Sequence, residues 1–199
     1  MGGGVGSVSL TLRRLAPHLC FVVQDRPEVI EQQAPRVCYR GKLGRQGGVP
    51  LTLVRGSQIW QERAPDALEN GSALLQAHDF FSPQPVKDAA LFLLRLVIHD
   101  WADEESLAIL RPLAEAATSE TRLLLVEQAY EPLQPDPLVH NSMPYLVDLE
   151  MMAVLNAQER TPEQYVELAK RAGWTHVKTW VPMLGESPSG WRHYEFQKA

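Results

Sequence analysis

Four short, largely apolar runs, each stopping at a polar or acidic residue, constrain this chain more than any other feature. Cys20–Val23 stops at Gln24-Asp25, and Leu74–Ala77 leads into His78-Asp79. The middle of Asp88–Ile98 leads to His99-Asp100, and Arg122–Val126 stops at Glu127. Apolar runs this short, with polar ends, read as buried strands. Helical stretches lie between them: Ser7–Leu15, a helix from Pro27 to about Gln33, Ala102–Ala117 with a bend at Pro112, and residues 136–155. Thr161-Pro162-Glu163 supplies a cap, a first-turn proline and a first-turn acid for a helix that runs to Ala172 and stops at Gly173. His176–Val181 and Tyr194–Gln197 read as two last strands, suited to an antiparallel edge pair. Alternating strands and helices predict an α/β domain with a mostly parallel sheet. Residues 36–59 hold five glycines and five basic residues with no sustained period, and read as an inserted loop.

Composition narrows the function classes. At 199 residues, 45% hydrophobic and 22% charged, the chain has the size and make-up of one globular domain. A net charge of -5 argues against a nucleic-acid partner, which calls for a basic face. Two cysteines, Cys20 and Cys38, are too few for a disulfide scaffold and fit a reduced, cytoplasmic setting. No His/Cys pair has zinc-ligand spacing, so no metal is expected. No apolar run reaches the roughly 18 residues that would span a membrane.

Chemistry-bearing residues gather at the ends of the strands. The chain opens on Gly2-Gly3-Gly4-Val5-Gly6, just before the first helix. Such a turn lets the backbone approach a ligand and presents free N–H groups. Asp25, about 20 residues on, is placed to accept hydrogen bonds from ribose hydroxyls. Asp79-Phe80 suits an adenine amine and ring. Arg95 sits in an apolar run, where a buried guanidinium needs a partner such as a ligand carboxylate. His99 titrates near neutrality and suits a general base. Glu127 and Glu159, if they flank it, would fix its tautomer.

The ordered motifs GGGVGS, FVVQD, HDFF, RLVIHDW, LLVEQ and QERTPEQYVELAKRAGW resemble the catalytic domain of plant caffeate-type and fungal O-methyltransferases. The resemblance covers nearly all of residues 2–35 and 60–182 and is nearest to fungal members. It implies a Rossmann-like class I methyltransferase sheet with helices on both faces, and methyl transfer from S-adenosylmethionine to a phenolic or related hydroxyl without a metal. It implies cofactor contacts from Gly2, Gly3, Gly4, Asp25, Asp79, Phe80 and Arg95. His99 would be the base, beside Glu127 and Glu159, and Met151, Met152 and Asn156 would line the acceptor pocket. The chain departs from the family in lacking an N-terminal dimerisation domain and the central strand before the glycines, and in carrying residues 36–59, which have no family counterpart and read as a retained intron or misassigned exon. Family members are homodimers. Two other readings stay open: a non-catalytic fragment that binds the cofactor weakly, and an oxidoreductase using NAD at the same glycine turn.

Overall fold

The computed structural model describes residues 2–30, 56–129, 143–184, 187–188 and 190–199. They form two compact units, Gly2–Asp79 and Phe80–Ala199. No helix among them is long and apolar enough to cross a membrane.

The first unit begins with the glycine turn. Gly2, Gly4 and Gly6 all take left-handed φ values of 59°, 52° and 79°, which a side chain would strain. Gly6 ends the turn and starts α1 (Ser7–Leu15), which buries Leu10. Strand β1 (Phe21–Asp25) is followed by α2 (Pro27–Ile30), α3 (Gly56–Arg63) and α4 (Pro65–Glu69). Strand β2 (Ala73–Ala77) then pairs with β1 in parallel, from Phe21 opposite Ala73 to Asp25 opposite Ala77. Leu10, Val23, Ile30, Trp60, Ala64, Ala67 and Ala73 make its core. Trp60 is fully buried, and a Cβ on Gly6 would collide with its indole nitrogen. Two expectations shift here. Residues 56–59 belong to α3 rather than to an irregular loop, and the helix from Pro27 is described only as far as Ile30. Residues 31–55 lie outside the described residues.

The second unit holds β3 (Leu91–Arg95), a 3-10 turn (Ile98–Asp100), α5 (Asp103–Ala116), β4 (Arg122–Gln128), α6 (Met143–Leu155), α7 (Pro162–Arg171), β5 (Trp174–Trp180), β6 (Met183–Leu184), β7 (Ser187–Pro188) and β8 (Trp191–Lys198). The four-stranded sheet runs β3-β4-β8-β5, with β3 parallel to β4 and β8 antiparallel to both its neighbours. The last strands are thus antiparallel as expected, but β8 lies between β4 and β5 rather than at the edge. Burial alternates along β3 and β8, as a half-buried sheet demands. Phe92, Leu94, Leu123, Leu125, Tyr194 and Phe196 pack with α5 and α7 into one core. Thr161 caps α7 through a reciprocal pair, its hydroxyl accepting from Gln164 N while Gln164 accepts from Thr161 N. Residues 136–142 of the helix expected over 136–155 lie outside the described residues. Among the described residues β1 pairs only with β2, and β3 only with β4.

Candidate active site

In the first unit, the glycine turn and the end of β1 come together. Gly3 N donates to Gln24 O at 3.0 Å, and Gly4 N donates to Asp25 Oδ2 at 2.8 Å. Arg26 N donates to Asp25 Oδ1 at 2.7 Å, and His78 N to Asp25 O at 2.8 Å. Asp25 is therefore held rigidly, while each carboxylate oxygen keeps a further lone pair for a hydroxyl. A Cβ at Gly4 would meet nothing, so this side of the turn is open. Asp79 follows His78 and is exposed.

In the second unit, the sequence-predicted residues divide into two groups. Phe80 packs edge-on against Phe81 and Trp101, with centroids 5.0 and 5.8 Å away. Arg95 departs from expectation. It is exposed rather than buried, and its guanidinium lies over the Trp191 ring, 5.0 Å from the centroid. As the last residue of β3, Arg95 shares a face with exposed Leu91, so alternation turns it outward. Next to it, Leu96 takes a φ of 51°, a strained conformation for a leucine. The chain turns sharply there and enters the 3-10 turn that carries His99.

His99 is the centre of a dense charged cluster. Its Nδ1 lies 2.8 Å from Glu159 Oε1, and its Nε2 lies 3.3 Å from Asp100 Oδ1. Glu159 is buried and lies three residues before Pro162, the first residue of α7. Its own N–H donates to Asp148 Oδ1 on α6 at 2.8 Å. Glu127 does not bond the ring. Fully buried at the end of β4, it accepts the backbone N–H groups of Val97 and Ile98 at 3.1 and 2.9 Å. The expectation that the two glutamates flank the imidazole is thus half met. Glu159 orients the ring, and Glu127 holds the turn beneath it.

Burial pushes the Glu127 carboxyl up to about 7, although the Ile98 and Val97 hydrogen bonds and His99 pull it down. Burial alone would lower the His99 pKa. The Glu159 hydrogen bond, with the charges of Glu127, Glu159 and Asp100, outweighs it and raises the pKa above its ordinary value. Burial also raises the Asp100 carboxyl. Glu127 Oε2, Glu159 Oε2 and the Tyr165 hydroxyl are buried without hydrogen-bond partners among the described residues. A neutral ring that donates Nδ1–H to Glu159 Oε1 would keep its lone pair on Nε2.

The acceptor-pocket residues implied by the resemblance lie on or just past α6. Met151 is half-buried, Met152 is 59% exposed, and Asn156 ends the helix with a left-handed φ of 54°. Asp148, Ser106 and Arg160 are parts of the cluster that sequence reasoning did not assign. Only Arg160 had a signal, its place in the ERT element.

The O-methyltransferase domain family matches residues 58–175, which includes His99, Glu127 and Glu159. The chain belongs to that family. A 4-O-methyltransferase 1 of Phanerochaete chrysosporium is 34% identical over 87% of this chain and 37% of its own length. Among solved structures, TnmH superposes with a TM-score of 0.74 at 26% identity, over all of this chain and 48% of TnmH. An O-methyltransferase from neocarzinostatin biosynthesis, NcsB1, superposes with a TM-score of 0.68 at 24% identity, over all of this chain and 47% of its own. NcsB1 was solved with S-adenosylmethionine and 2-hydroxy-5-methyl naphthoic acid. The chain spans less than half the length of each of these family relatives. The fold class is that of the S-adenosylmethionine-dependent methyltransferases.

Proposed function

We propose that this chain is the catalytic part of an O-methyltransferase that moves a methyl group from S-adenosylmethionine to a hydroxyl of a phenolic or related secondary metabolite, with His99 as general base. The observation that carries the reading is the 2.8 Å contact of His99 Nδ1 with buried Glu159 in a chain of this family.

The first unit fits the cofactor. Its glycine turn presents backbone N–H groups at the start of α1, where Gly6 provides no side-chain cap and, among the described residues, no side chain takes the place a carboxylate would fill. Gly2, Gly3 and Gly4 would line the methionyl part, Asp25 the ribose hydroxyls, and Asp79 with Phe80 the adenine. S-adenosylmethionine supplies an electrophilic methyl on a sulfonium, itself a good leaving group.

What remains for the protein is proton removal and alignment. His99 Nε2 takes the hydroxyl proton as the oxygen becomes nucleophilic. Glu159 stabilises the resulting imidazolium through Nδ1–H, and Asp100 faces the new Nε2–H. Met151, Met152 and Asn156 would line the acceptor. The test is transfer of labelled methyl from S-adenosylmethionine to a panel of phenols and naphthoic acids. The expected result is a methyl ether with the unaltered protein and at least a hundredfold loss in His99→Ala. Product formed equally by both would exclude the base assignment.

A further inference from the structure

We infer that Arg160 is a positioning residue for the transfer: it holds the turn that carries His99 and so fixes the ring against Glu159. The inference rests on the reading of His99 as base. Arg160 is 1% exposed, and its guanidinium makes four hydrogen bonds. Nη1 donates to Ile98 O at 3.0 Å and Nη2 to Trp101 O at 2.9 Å, the carbonyls on either side of His99-Asp100. Nη2 and Nε also donate to Asp103 Oδ1 at 2.7 and 3.1 Å, and this carboxylate balances the buried charge.

The turn itself is weakly built. Asp100 N and Trp101 N reach back to Val97 O and Ile98 O at 3.2 Å each, and its later carbonyls have no helix to bond into. Ser106 Oγ lies 3.2 Å from Trp101 O and 3.5 Å from Ile98 O. The turn is therefore gripped from both ends. Buried Glu127 takes its leading N–H groups, and buried Arg160 takes the carbonyls of its first residue, Ile98, and of Trp101 just past its last. Arg160 also adjoins Glu159 in the chain, so one dipeptide sets both the ring's partner and the backbone under the ring. Lysine cannot replace it, because a single ammonium lacks the planar fork that spans two carbonyls and a carboxylate.

The test compares the unaltered protein with Arg160→Lys, Arg160→Gln and Asp103→Asn. The His99 imidazole is titrated by NMR, its signal assigned by its absence from His99→Gln, and kcat and KM are measured where turnover is seen. Loosening the turn weakens the Glu159 hydrogen bond, so the His99 pKa falls in both Arg160 variants. Their kcat drops roughly ten- to hundredfold while KM for S-adenosylmethionine stays within about twofold. Asp103→Asn keeps both carbonyl contacts and leaves the His99 pKa in place. Folded Arg160 variants with an unshifted His99 pKa would overturn the inference. Loss of the fold in both variants would overturn it as well, since Arg160 would then be a general structural residue. The titration needs no turnover, so a protein without methyl transfer would count against the proposed function and leave this inference to its own readout.

Discussion

At the scale of single residues, the site is built on buried charge whose ionisation is costly. Glu127 shows this most clearly. Its folded-state pKa of about 7 lies above the ordinary 4.5, so the folded protein holds the extra proton. That contribution to stability is fully present below pH 4.5 and is lost as pH rises through about 7. Glu127→Gln keeps an oxygen for the Val97 and Ile98 N–H groups and removes the charge. Thermal unfolding above pH 8 should therefore show the variant more stable than the parent by up to about 3 kcal/mol, with the difference gone at pH 4. Activity should move too. Glu127 is one of the charges that raise the His99 pKa, so the acid limb of the rate profile should shift to lower pH in Glu127→Gln. Glu127→Ala leaves two buried N–H donors unpaired, and should cost on the order of 2–6 kcal/mol by denaturant unfolding.

Much of this cluster was legible as a set of residue types. His99 at a strand end, with an acid and an aromatic after it, pointed to chemistry, and Glu159 stood in a recognisable ERT element. The division of labour between the glutamates was not legible. Both are acids near an element end, and only the register of β4 against the turn shows that Glu127 meets backbone rather than ring. Arg95 misled because its apolar neighbours suggested burial, whereas its place as last residue of β3 turns it outward onto Trp191. Arg160 stood in the same ERT element, but its role was not legible because its partners include backbone carbonyls about 60 residues away.

At the scale of elements, local chemistry was a good guide where caps and periods are strong. Helix α7 starts on its capping box and ends before Gly173, whose φ of 92° suits glycine. Thr161→Ala should cost about 1 kcal/mol in thermal unfolding, from loss of one reciprocal bond. Strand limits were less legible because pairing sets them. Strand β4 runs on to Gln128 because β8 continues beside it to Trp191, and β5 starts at Trp174 because Lys198 lies opposite. Helices α3 and α4 were not anticipated: Gly56 ends a glycine- and base-rich stretch, although Trp60 four residues on anchors α3 in the first core. Helix α6 leaves Leu146, Leu149, Met152 and Val154 exposed, with 71% for Val154. Met152 therefore contributes little to stability. Met152→Ala should change unfolding free energy by no more than about 0.5 kcal/mol while raising KM for the acceptor, as read by steady-state kinetics.

At the scale of the whole molecule, the two compact units carry different chemistry. The first has the glycine turn and Asp25, the second the His99 cluster. S-adenosylmethionine at a hundred times its Kd should stabilise the protein by about 2.7 kcal/mol, seen as a rise in Tm that NAD does not produce. Asp25→Ala should abolish that rise and leave the His99 titration unchanged. The α/β class and the order of elements were readable from alternating patterns. The separate pairing of β1 with β2 and of β3 with β4 was not legible in those patterns, since periodicity in one segment says nothing about its neighbour.

The most direct test of the central claim is the pH dependence of the methyl-transfer rate, measured with a phenolic acceptor for the parent and His99→Gln. The parent rate should climb with pH through an apparent pKa above 6.5 and then level off, because only the unprotonated ring accepts the hydroxyl proton. His99→Gln should fall by at least about a hundredfold and lose that limb. A variant that keeps both the rate and the same pH profile would contradict the assignment of His99 as the base.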